Sequence, residues 1–199
     1  MKTNRWSALA ILLLAFCIAS CDLEGLEGKS KVTEEFNANF PLNPGGAIEV
    51  YSKNGSVEIL GWEKDTVEVR ATKQARDQAG LDSIKIDVAA KPESIVVRSV
   101  FQDNRVSGKG VRYTIRAPFS ARIATVDTSN GHVRVEEVSH AASLKTSNGS
   151  ITVNRSEGPL AADTSNGAIR ISGVKGNLRL DTSNGRIEAD DVVGAVSAD

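Results

Sequence analysis

Cysteine is almost missing from this chain: it has two in 199 residues, Cys17 and Cys21. Cys17 lies inside an apolar run near the N-terminus, so a processed chain would keep Cys21 alone. That excludes a disulfide framework and a cysteine-based metal site. Histidine is as scarce, with His132 and His140 alone, and neither stands beside a nucleophile or carboxylate in a catalytic pattern. Aromatic residues make up 5% of the chain, which weakens any case for binding sugars through stacked rings. Neither sign of charge dominates, with 24 basic and 25 acidic residues. Nucleic-acid binding relies on concentrated positive charge and is disfavoured. Glycine-rich phosphate cradles and zinc-ligand spacings are absent as well. No catalytic residue, metal ligand or cofactor is expected.

What is present begins with a leader. Lys2 and Arg5 precede an uncharged, largely apolar run from Trp6 to Ser20. The run falls short of the roughly 20 apolar residues of a spanning helix and ends in small residues, as a secretory signal does. The ending "CIASC" resembles the lipobox of bacterial lipoproteins, with Ile18, Ala19 and Ser20 before Cys21. The resemblance implies a signal peptide over 1–20, cleavage before Cys21, and acylation of that cysteine. One acyl chain binds a membrane only marginally, and the resemblance implies three. An ordinary signal peptide or an uncleaved anchor is the alternative. Asp22 resembles an inner-membrane retention signal, although either membrane of an envelope stays open. Cleavage removes Lys2 and Arg5, leaving 22 basic against 25 acidic residues, a net of −3. Residues 21–30 read as a polar tether.

The tail is periodic. T-S-N-G begins at Thr128, Thr146, Thr164 and Thr182, always 18 residues apart. A weaker period of nine runs inside it: Gly149 and Gly158, Gly167 and Gly176, Gly185 and Gly194. Each half is a glycine turn followed by a short alternating strand. Because strand side chains alternate faces, the inward set reads Val133, Val135, Ile151, Val153, Ile169, Ile171 and Ile187. Leu144, Leu160, Leu178, Leu180 and Val196 stand opposite. Helices do not fit an apolar period of two broken by recurrent glycine. Burying one such side chain contributes about 1.5–3 kcal/mol, while ordering one residue costs roughly 1–2 kcal/mol in backbone entropy. A single coil cannot stand alone, so stacking must supply the rest. The expected fold is all-β: a β-solenoid, β-helix- or β-roll-like, with 18-residue coils of two short strands over residues 119–199.

Asn-Gly tolerates positive φ and marks a turn. The pairs Asn130-Gly131, Asn148-Gly149, Asn166-Gly167 and Asn184-Gly185 are therefore corners, with Thr164 inward and Ser165 outward. In register, successive asparagines would lie about 4.8 Å apart, close enough for a ladder of amide bonds. Upstream, residues 31–118 read as irregular strands. "KNGSVEILGWEKDTVEVRAT" suggests a degenerate coil or a hairpin, with Val57, Ile59, Val67 and Val69 inward. Residues 74–80 suggest a helical turn, 102–110 an exposed loop, and Pro118 a strand end.

Tyr113, Ile115 and Pro118, followed by Ser129-Asn130-Gly131 and its three successors, resemble a bacterial family of domains of unknown function catalogued as putative adhesins. The resemblance spans roughly residues 45–199 and implies the repetitive β fold without fixing an activity. Arg134, Thr152, Arg170 and Glu188 share one outward column and form the candidate binding face, for an envelope protein or polysaccharide. A second column holds Asp127, Lys145, Asp163, Asp181 and Asp199. It lacks the glycine and aspartate pattern of calcium-binding nonapeptide rolls, so solvated carboxylates are the expected reading. A structural, assembly or stress-signalling role through the solenoid ends is the alternative to a binding module. A carbohydrate-active enzyme is the remotest reading. The sequence stops at "VSAD", where a further T-S-N-G would follow, so either more repeats follow or this end docks on a partner or a second copy.

Overall fold

A computed structural model describes residues 31–102 and 107–199, so the leader, the tether and Cys21 lie outside the described residues. In chain order the first half comprises β1 (Val32–Pro41), β2 (Ala47–Tyr51), β3 (Val57–Trp62), β4 (Thr66–Ala75), α1 (Gln78–Asp82), β5 (Ile84–Lys91), β6 (Ser94–Phe101) and β7 (Gly110–Pro118). The repeats supply β8 (Arg122–Asn130), β9 (Val133–Ala141), β10 (Ser143–Asn148), β11 (Ile151–Glu157), β12 (Leu160–Asn166), β13 (Ile169–Lys175), β14 (Leu178–Asn184), β15 (Ile187–Val193) and β16 (Val196–Ala198). The fold is all-β apart from α1, and the strands join in one 16-stranded sheet. No helix among the described residues is long and apolar enough to cross a membrane.

The period of 18 becomes two parallel ladders. One runs β8, β10, β12, β14, β16, and the other β9, β11, β13, β15. Each rung sits on the residue 18 places away: Ile151 on Val133, Ile169 on Ile151, and Ile187 on Ile169. Leu144, Leu160, Leu178 and Leu180 are buried with Val133, Ile151 and Ile169 in a single core, against which Ile187 packs half-buried. Val196, expected inward, is 48% exposed on the last rung. Among the described residues its strand β16 pairs with β14 alone.

The first half is more regular in space than in sequence. β2 pairs in parallel with β8, and β3 with β9, so residues 47–62 supply one more rung to each ladder. Val57 stands on Val133 and Ile59 on Val135, and Asn54 bridges Asn130. On their other sides β2 meets β6 and β3 meets β7, again in parallel. The earliest rung in the chain is therefore sandwiched between two later ones. Val67 and Val69 are buried, but β4 forms neither a second half-coil nor a hairpin with β3. It runs antiparallel between β1 and β7. β5 lies antiparallel on β6. Antiparallel strands thus cover both ladders at this end, the standard protection for an open parallel edge.

Two further differences are local. The helix starts at Gln78, later than residue 74, because β4 continues to Ala75, which is buried and paired with Val32. Asp77 caps it, its carboxylate accepting from Gly80 N at 2.7 Å. The repeats also contain a corner that alternation misses. Glu137, Arg155, Gly173 and Asp191 have φ of 56°, 55°, 65° and 51°. At this left-handed residue the inward pattern skips a place, from Val135 to Val138, Val153 to Ser156, and Ile171 to Val174. The Ser156 hydroxyl is left buried without a hydrogen-bond partner in that column, a cost of about 1–3 kcal/mol.

Candidate functional site

The T-S-N-G corner is built by contacts between rungs. The threonine is inward: Thr146 Oγ1 donates to Gly131 O at 3.0 Å, Thr164 to Gly149 O at 2.9 Å, and Thr182 to Gly167 O at 3.1 Å. Asn148 Nδ2 donates to Asn130 Oδ1 at 2.8 Å, Asn166 to Asn148 at 2.9 Å, and Asn184 to Asn166 at 3.1 Å. The glycine N–H donates to the next rung's asparagine carbonyl, as from Gly149 to Asn166 at 3.0 Å. Gly167 lies so close to Gly149 that a Cβ would overlap its carbonyl oxygen. Threonine, asparagine and glycine each have a partner in the stack, while the serines at 129, 147, 165 and 183 are exposed.

The candidate binding face extends beyond the repeats. Arg134, Thr152, Arg170 and Glu188 are direct register partners on β9, β11, β13 and β15. The same row continues through Glu58 on β3, Thr114 on β7, Arg70 on β4 and Asn37 on β1. Eight strands thus present one row of outward side chains. Its seven spacings of about 4.8 Å make a strip roughly 34 Å long.

Most charges on this strip are answered by neighbours. Arg134 Nη2 donates to Glu136 Oε1 at 2.8 Å, with Glu58 at 3.8 Å on its other side. Arg170 Nε donates to Glu188 Oε2 at 3.1 Å, and Glu188 also receives Arg186 at 3.3 Å. Partial burial by itself would push the Glu136 carboxyl up. Hydrogen bonds from Asn154, at 2.6 Å, and from Arg134 outweigh it and hold the carboxyl below the usual carboxylate range. At the cap, Arg70 reaches Glu68 at 2.8 Å and Arg116 approaches it at 3.8 Å.

The remaining polar groups are dispersed. His132 Nδ1 lies 2.9 Å from Ser150 Oγ and accepts from Ser150 N at 3.1 Å. His140 Nδ1 lies 2.9 Å from Ser139 Oγ. Asp127, Lys145, Asp163 and Asp181 align in register on the other ladder, and Lys145 reaches Asp163 at 3.4 Å. Among the described residues no three metal-ligating side chains converge. Sequence reasoning missed an open depression of about 430 Å³ beside the strip, lined by residues of β1, β4 and β7 that include Arg70, Thr72, Arg112 and Thr114. No sequence signal could have found it, because an antiparallel pairing distant in sequence brings the lining together.

No family model and no curated protein matches the chain. Several solved bacterial structures are similar to it at low identity. A putative cell adhesion protein from Clostridium sporogenes is 10% identical, with a TM-score of 0.46 over 82% of this chain and 98% of that one. A putative adhesin from Parabacteroides distasonis is 16% identical, with a TM-score of 0.40 over 82% and 77% of the two chains. A putative adhesin from Bacteroides fragilis is 10% identical, with a TM-score of 0.34 over 86% and 98%.

Proposed function

We propose that the chain is a cell-envelope lipoprotein, held at a membrane by acylated Cys21, that presents a non-catalytic β-solenoid as a binding module. The shared 18-residue step of the two ladders supports the solenoid reading. The observation that carries the binding reading is the row from Asn37 to Glu188. Such a strip is long, open and evenly spaced, whereas small-substrate sites are concave and enclose most of their ligand. It suits an extended partner, an envelope protein or a polysaccharide, recognised by charge and hydrogen-bond complementarity. Residues 21–30 would be the tether, 31–118 the cap and first rungs, and 119–199 the regular repeats.

The test is capture of partners from bacterial envelope extract by the full-length protein, compared with the double variant Arg134→Glu, Arg170→Glu. Both side chains are surface-exposed, and exposed ion pairs contribute only about 0–1 kcal/mol, so the variant should stay folded. Reversal places four acidic groups in the row itself, at positions 58, 134, 170 and 188, and capture of the partner is expected to fall at least tenfold. Undiminished capture, or no specific capture by the unaltered protein, would contradict this face as the binding site.

A further inference from the structure

The strip is close to charge balance along the repeats and departs from it at the cap. Across the β4–β7 ladder Arg70 stands directly opposite Thr114, and Thr72 opposite Arg112. Two long guanidinium side chains therefore occupy one diagonal of a square, and two short hydroxyl side chains the other. The short pair lets the surface sink between the long pair, forming the depression of about 430 Å³ that Glu35, Phe36, Asn37 and Ala71 complete. That volume lies within the range of small-ligand sites. Arg70 is already held by Glu68 at 2.8 Å. The Arg112 guanidinium makes no ion pair or hydrogen bond among the described residues.

We propose that this depression binds the carboxylate of an acidic saccharide, with Arg112 as the main anchor, Arg70 as its second donor, and Thr72, Thr114 and Asn37 on the sugar hydroxyls. Guanidinium forks match carboxylates through paired, charge-assisted hydrogen bonds. Threonine hydroxyls and an asparagine amide each donate and accept, as sugar hydroxyls require. The lining holds Arg70 and Arg112 against Glu35, and Glu68 beside it already pairs Arg70, which leaves Arg112 as the one lining cation without an ion pair among the described residues. That balance suits a singly charged carboxylate and disfavours a doubly charged phosphate. Thr114, Arg70 and Asn37 belong to both the depression and the long row, so a polymer seated here would continue along the strip. The assignment rests on the binding-module reading and names its ligand class.

Calorimetric titration of the full-length protein with a galacturonate oligomer, a neutral galactose oligomer of equal length, and inorganic phosphate tests it. The acidic oligomer should bind at least tenfold more tightly than the neutral one and weaken as salt is added. Arg112→Gln should cost about tenfold, Arg112→Lys less, and Glu35→Gln should tighten binding several-fold by removing the one acidic side chain of the lining. Equal binding of the two oligomers, competition by phosphate at matched concentration, indifference to Arg112→Gln, or no binding of the acidic oligomer would each overturn the assignment. Should the titration fail while capture from envelope extract remains sensitive to Arg134 and Arg170, the binding module stands and this site falls.

Discussion

Gly167→Ala is expected to destabilise the protein by about 3 kcal/mol or more, the upper range for forcing atoms into a packed interior. The added Cβ would lie well inside the 3.0 Å that real Cβ atoms keep from their neighbours, and the atom it meets is the Gly149 backbone carbonyl. A backbone carbonyl cannot swing aside as a side chain can. Relief requires separating two rungs, which stretches the Gly149 N to Asn166 O bond, 3.0 Å long, and the Asn166 to Asn148 amide bond, 2.9 Å long. The same substitution at Gly149 meets the carbonyl of Gly131, so the effect should recur along the column. Ser165→Ala, two residues away, removes an exposed hydroxyl and should stay within about 0.5 kcal/mol. For a domain of this size each kcal/mol moves Tm by about 2–4 °C, so thermal melts should separate the two variants by roughly 5–12 °C. Similar melting temperatures for Gly167→Ala and Ser165→Ala would contradict the close approach of the rungs.

Raising the pH from about 10 to 12 is expected to remove a further 2–3 kcal/mol through Tyr113. Its ring is fully buried where β7 meets the core. Burial pushes the phenol from its usual 10.0 up to about 12, against the smaller opposing effect of its hydrogen bond with Ser99 at 2.7 Å. A group whose folded pKa is raised contributes its full stability below the unfolded value and loses it as pH climbs toward the folded one. Two units correspond to about 2.7 kcal/mol. The window therefore opens near pH 10 and closes near pH 12. The comparison is with Tyr113→Phe, which keeps the ring and removes the ionisable proton, so that any other effect of high pH is common to both proteins. Melting temperature should fall less steeply with pH in the variant, by roughly 5–10 °C across the window. Parallel curves for the two proteins would show that Tyr113 ionises freely and is not enclosed.

The tail was legible because each repeat solves the same packing problem with the same letters. Val133, Ile151, Ile169 and Ile187 announce their column by spacing alone. The corner near Glu137 was not legible. Glu137, Arg155 and Asp191 carry none of the glycine that marks a left-handed residue, and Gly173 alone hints at it. The rung at residues 47–62 shows its kinship in Asn54-Gly55, Val57 and Ile59, but its place between β6–β7 and β8–β9 is long-range pairing that no local pattern encodes. The candidate face divides in the same way. Arg170 against Glu188 follows from the period, whereas Arg134 against Glu58 required the out-of-order rung. The Arg70–Arg112 square depends on β4 lying antiparallel to β7, a pairing expected from neither a coil nor a hairpin.

Methyl-resolved NOE spectra of protein labelled at Ile, Leu and Val offer the most direct measurement of the central claim. Residues 18 apart stacked on adjacent strands place their methyls within about 5 Å. Strong cross-peaks are predicted for Ile151 with Ile169, Ile169 with Ile187, Leu160 with Leu178, and Val57 with Val133. Their absence, with Ile169 meeting a different set of methyls, would show that consecutive repeats are not neighbouring rungs.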